Sequence, residues 1–178
     1  YQIPRPFAQQ TVLDNVAMNK ASGIGGIKIK VGQPDLPTDI QRVGQVRKLL
    51  GEGFPLMVDA NQQWDRPKAM RACRAFEQFD LTWIEEPLDA YDFEGHAQLA
   101  ERYDTAIATG EMLTSLGEHT QLIMSDGSDF VQPDAPRVGG ITPFLQIMAL
   151  ADFKGRKLAP HFAMEIHLHL AAAYPQEP

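Results

Sequence analysis

Cysteine is nearly absent from this chain. Cys73 stands alone, so no disulfide can form within it, and a reducing, cytoplasmic setting is the expectation. No apolar run reaches about 18 residues, the length of a membrane-spanning helix, and no membrane partner is expected. Basic residues are outnumbered: 16 Lys and Arg face 23 Asp and Glu, a formal net charge of −7. Nucleic-acid binding needs a basic face, so it is excluded as a reading. No HExxH motif is present, and His167 and His169 lie two apart, which is not the spacing of a zinc pair on a helix. Long linkers and low-complexity stretches are missing too.

What is there is a repeat of structure rather than of sequence. Short apolar runs alternate with segments of helical periodicity. Strands are read at 27–31, 55–58, 81–84, 106–109, 129–132 and 157–159. Helices are read at 11–22, 38–50, 67–79, 92–103, 116–125, 142–153 and 164–173. Ile40, Val43, Val46 and Leu50 share one helical face. Ser115 and Glu118 make a capping-box pattern, Asp92 a cap, and Thr142-Pro143 a cap followed by a first-turn proline. The strands never alternate cleanly with polar residues, as expected of strands buried on both faces and therefore parallel. A doubly wound open sheet competes with a (β/α) barrel.

Charge placement favours the barrel. Lys30, Asp59, Glu85, Glu111, Asp134 and His161 each lie at or just past the end of a short apolar run. They recur at nearly even intervals of about one βα unit, roughly 25–30 residues on the size of an eight-unit barrel. An open sheet places its ligand at one switch point, whereas every strand end of a barrel faces the same centre. A complete barrel takes about 250 residues and this chain has 178. The expectation is a single partial (β/α) TIM-like barrel domain over 1–178, an α/β fold comprising about strands 2–7. No clear first strand is readable before Ile27, and the edges of 27–31 and 157–159 are expected to be unpaired, an aggregation hazard.

The residue types then suggest chemistry. Asp59, Glu85 and Glu111 end successive strands about 4.8 Å apart. Carboxylates that close repel unless protonated or bridged by a cation, and an all-oxygen set suits Mg²⁺. A helix-cap role is the alternative for any one of them. Lys28 and Lys30 share a strand face. Two ammonium groups side by side disfavour each other's charged form, the setting in which a lysine serves as a base; snorkelling to water is the alternative. Asp134 beside His161 would orient the imidazole and stabilise its protonated form. Gly139-Gly140 is either an anion-holding turn or a plain tight turn.

The stretches KIKVG (28–32), VDANQ (58–62), IEEPL (84–88), GEM (110–112), QPDAPRVGGIT (132–142) and APHFAMEIH (159–167) resemble the barrel domain of the enolase superfamily, mandelate racemase subgroup. Within that subgroup the chain is most similar to acid-sugar dehydratases of the galactarate/L-talarate type. The resemblance implies a hydro-lyase with Mg²⁺ on Asp59, Glu85 and Glu111. It implies Lys30 as one acid/base, Lys28 as its tuning neighbour, the Asp134–His161 pair as the other, and Asn61 as a substrate contact. The reaction implied is α-proton removal, a Mg²⁺-stabilised enediolate and loss of the β-hydroxyl to give a keto-deoxy acid. The partner expected is a small acid-sugar molecule, and the full-length protein is expected to be a homo-oligomer. Against the family pattern, the N-terminal capping domain and the eighth unit are expected to be lacking, which leaves the isolated chain weak or inactive. A racemase, epimerase or cycloisomerase of the same superfamily is an alternative. A non-catalytic truncated remnant is another.

Overall fold

The computed structural model describes residues 2–3 and 9–175. The chain packs as two compact units. The first is 1–89 with 103–105, and the second is 90–102 with 106–178.

In the first unit the strands are β1 (Gln2–Ile3), β2 (Ile27–Lys30), β3 (Leu56–Asp59) and β4 (Trp83–Glu85). The helices are α1 (Gln9–Ala21), α2 (Leu36–Leu50) and α3 (Arg66–Phe76), the last followed by a 3-10 turn, Glu77–Phe79. Every strand pair is parallel. Ile27, Ile29, Leu56, Val58 and Ile84 are at most 1% exposed, so apolar strand residues make the core, as the uninterrupted apolar runs required. Strand β1 corrects the sequence reading. Gln2 and Ile3 pair with Lys28 and Ile29, so the edge of β2 is not bare. A two-residue strand is too short to show a periodic signal.

Helices α2 and α3 each start at an aspartate cap. Asp35 accepts the Thr38 N–H at 3.2 Å to open α2, and Asp65 accepts the Lys68 N–H at 2.7 Å to open α3. Pro37 and Pro67 occupy first-turn positions, where the missing N–H costs nothing. Arg47 ties the far end together. Its guanidinium donates to the carbonyls of Gly51, Phe54, Phe79 and Asp80 at 2.7–3.0 Å.

The second unit holds α4 (Phe93–Arg102), β5 (Ile107–Thr109), α5 (Leu116–Met124), β6 (Phe130–Val131), α6 (Ile141–Phe153), β7 (Lys157–Leu158) and α7 (Met164–Ala171). Its strands are parallel in the order β5-β6-β7. Phe144, Ile147 and Ala151 of α6 pack with Val131, Leu158 and Leu170 in one core cluster. Asp92 caps α4 through the Gly95 N–H at 3.0 Å, and the Ser115–Glu118 capping box is complete. The start of α6 differs from expectation. Gly140 is the cap residue, with φ of 116° and no side-chain cap bond, so Thr142 and Pro143 both lie inside the first turn.

Cys73 is fully buried in α3. Burial, reinforced by the nearby Glu77, raises its thiol pKa to about 12. The thiolate is the reactive form. Native protein at pH 8 should therefore give no colour with a disulfide reagent, whereas unfolding in denaturant should release one thiol per chain.

Candidate active site

Strand register gathers the candidate residues of the first unit. Lys30 pairs with Asp59, and Asp59 with Glu85, so the three stand abreast at the C-terminal ends of β2, β3 and β4. Both carboxylates are completely buried. Lys28, one turn of the pleat before Lys30, shares its face. The Lys28 ammonium donates to Glu85 Oε1 and lies 3.7 Å from Asp59 Oδ2. The Lys30 ammonium donates to Asp59 Oδ2 and to Asn61 Oδ1. Trp83 Nε1–H donates to Glu85 Oε2 at 2.9 Å. The lysine side chains are only 19% and 11% exposed. They do not snorkel to solvent; they neutralise a buried pair of carboxylates.

The loops extend this order beyond the strands. The N–H groups of Val31, Ala60 and Gln62 donate to the carbonyls of Asp59, Glu85 and Glu86 at 2.8–2.9 Å. Asn61 and Gln62 adopt positive φ of 45° and 61°. Asn61 returns its backbone N–H to Asp59 Oδ1 at 2.8 Å, which fixes both the carboxylate and its own amide beside Lys30.

Glu111, Asp134 and His161 belong to the second unit. The backbone ladder past β6 and β7 ends with the His161 N–H donating to the Pro133 carbonyl at 3.1 Å, which brings His161 beside Asp134. His161 Nδ1–H donates to Asp134 Oδ2 at 2.9 Å. Its Nε2 lies 3.5 Å from Glu111 Oε2. Asp134 is 5% exposed and also accepts the Arg137 N–H at 3.2 Å. Gly110 gives Glu111 its position: φ is +126°, and a Cβ there would meet Gln132 N at 3.3 Å and His119 Nε2 at 3.4 Å. The Gly139-Gly140 turn is used as the start of α6, not as a pocket.

Chemically, the donors are carboxylate oxygens, the set expected of a hard cation. Two of them are buried on adjacent strands and paired with ammonium groups, which stand where a cation's positive charge would be. Among the described residues no group of three or more His, Cys, Asp or Glu side chains gathers as a metal site by itself.

Two supports were not read from the sequence. Asp39 is fully buried in the first turn of α2 and accepts the N–H groups of Gly32 and Gln33, each at 2.7 Å. Arg42, one turn on, lies 3.5 Å from Asp39 and donates to the Lys30 carbonyl at 3.3 Å. Together they brace the loop behind Lys30. The available signal was an Asp-x-x-Arg pair interrupting the apolar face of that helix. His167, whose Nε2 accepts the Ala135 N–H, is the other.

Known proteins share this fold. The chain is 70% identical to the L-talarate/galactarate dehydratase of Salmonella typhimurium over 167 residues, 94% of this chain and 42% of that protein. It is 39% identical to the 3,6-anhydro-alpha-L-galactonate cycloisomerase of Streptomyces coelicolor over 155 residues, 87% of this chain and 43% of that protein. L-Talarate dehydratase from a Polaromonas species, solved with Mg and L-glucarate, superposes with a TM-score of 0.96 at 63% identity, covering 98% of this chain and 49% of that one. The chain thus spans somewhat under half the length of the curated relatives it matches. The family model described as enolase C-terminal domain-like matches residues 11–178. The expected fold class, a partial (β/α) barrel, agrees with the match and with the parallel pairing in both units, and the chain belongs to the enolase C-terminal domain-like family.

Proposed function

We propose that this chain carries the catalytic residues of a Mg²⁺-dependent acid-sugar dehydratase acting on substrates of the galactarate/L-talarate type. The observation that supports it most is the in-register row of Lys30, Asp59 and Glu85, two fully buried carboxylates beside two enclosed lysines. A row of this kind is costly to bury and suits cation binding next to a base.

Asp59, Glu85 and Glu111 are the proposed metal ligands. Mg²⁺ bound there would draw charge from a substrate carboxylate as its α-proton leaves, the electrostatic support such a weak acid needs. Lys30 takes or returns the α-proton on one face, with Lys28 adjusting its charge balance through the shared carboxylates. His161 serves the other face through Nε2. Asp134 holds its Nδ1–H, keeps the ring in that tautomer and steadies the imidazolium that forms. Protonated His161 is the simplest acid for departure of the β-hydroxyl, after which the enol tautomerises to a keto-deoxy acid. Asn61, fixed between Lys30 and Asp59, is the proposed substrate contact.

The test is turnover. Incubated with Mg²⁺ and a panel of acid sugars, the protein that carries this chain should convert galactarate and L-talarate to a keto-deoxy acid. Turnover of other acid sugars alone would refute the substrate class. Racemisation or ring closure without loss of water would instead place it with the racemases or with cycloisomerases such as the Streptomyces relative.

A further inference from the structure

His167 takes no part in the steps above, yet it is tied to them. It lies in α7, 2% exposed, stacked on Phe144 with ring centroids 5.4 Å apart and planes at 21°. The Ala135 N–H donates to its Nε2 at 3.0 Å. Ala135 follows Asp134 directly, so this bond grips the peptide from which the Asp134 carboxylate extends. A ring nitrogen that accepts carries no hydrogen, so the ring is neutral with its hydrogen on Nδ1. Nδ1 is shut away from solvent on the side towards the His161 backbone. Burial pushes the ring's pKa down, against smaller upward pulls from Asp134 and the His161 backbone, which favours the neutral ring.

We propose that His167 is a positioning residue for the Asp134–His161 pair: its neutral Nε2 clamps the Asp134–Ala135 peptide and thereby aims the Asp134 carboxylate at His161 Nδ1. The role rests on the reading of that pair as acid/base. Three contacts then fix Asp134 from three directions: His167 through its peptide, the Arg137 N–H on Oδ1 and His161 on Oδ2. A core histidine that merely fills space would not need an acceptor at Nε2, and a phenyl ring would serve on Phe144 equally well.

Two experiments decide it. In the unsubstituted protein, histidine-labelled ¹⁵N spectra should show His167 as the neutral tautomer with hydrogen on Nδ1. Hydrogen on Nε2 would overturn the proposal, because that nitrogen could not accept from Ala135. In variants, His167→Phe should lower kcat by about 10–100-fold, the range for residues that orient a ligand-bearing shell, with KM changed less than about threefold. His167→Gln, whose amide oxygen can accept the Ala135 N–H, should recover most of the loss. Equal kcat in a folded His167→Phe protein would overturn it. Failure of the underlying reading shows separately, as no acid-sugar turnover in the unsubstituted protein. The clamp is then judged by the His161 ring resonances, which should move in His167→Phe and hold in His167→Gln; unmoved resonances in both would overturn it.

Discussion

Replacing Lys30 by Ala should abolish exchange of the substrate α-proton from one face and leave exchange from the other. Loss of a positioned base costs about 10²–10⁴-fold in rate, and dehydration should fall by that factor for the epimer whose proton faces Lys30. The geometry supports a local effect. Lys30 extends from the last residue of β2 and meets Asp59 and Asn61, while the His161–Asp134 bond lies in the other unit. Its removal also leaves Asp59 with Lys28 at 3.7 Å, so the carboxylate keeps a cation nearby and the protein should remain folded. Proton NMR in D₂O with each epimer reads the two faces separately. Unchanged exchange from both would remove Lys30 from the chemistry.

Glu85→Gln should have the second large effect, and on two quantities. Glu85 is completely buried and engages Lys28 and Trp83 Nε1–H. Gln keeps the shape and removes the charge, so Mg²⁺ affinity should fall by more than the roughly 10–100-fold lost on disturbing only the residues behind a metal ligand. Stability should fall as well. Removing one partner of a buried ion pair costs up to about 3–5 kcal/mol, reduced here because Lys28 is partly open to solvent and still faces Asp59. Calorimetric Mg²⁺ titration and urea unfolding measure the two separately. Undiminished Mg²⁺ binding by a folded variant would contradict the ligand assignment.

The fold was largely legible because buried parallel strands and amphipathic helices leave strong, opposite patterns. Most helix and strand limits were readable to within about two residues of their observed ends, the usual slack of frayed termini. The capping box at Ser115 was readable since its signal lies within four residues. What stayed hidden depends on long-range partners. Strand β1 exists only because Gln2 and Ile3 find β2. Pro143 suggested a helix start at Thr142, but Gly140, with φ of 116°, turns the chain two residues earlier. For the site, each charged residue could be placed at a strand end, yet the sequence could not show that Lys28 reaches Glu85 while Lys30 reaches Asp59. Nor could it show that the Asp39 carboxylate braces the loop after Lys30 from within a helix, since a charged residue in a first turn reads equally well as solvent-facing.

If these residues remove a proton α to a carboxylate with a divalent cation in attendance, the substrate's α-hydrogen reports it. The most direct measurement follows the α-hydrogen of galactarate and L-talarate by proton NMR in D₂O, with Mg²⁺ and again with excess EDTA. The α-hydrogen signal should fall and a keto-deoxy product grow with Mg²⁺, and neither should happen with EDTA. Retention of the signal in Mg²⁺, or equal rates in EDTA, would contradict metal-assisted proton removal.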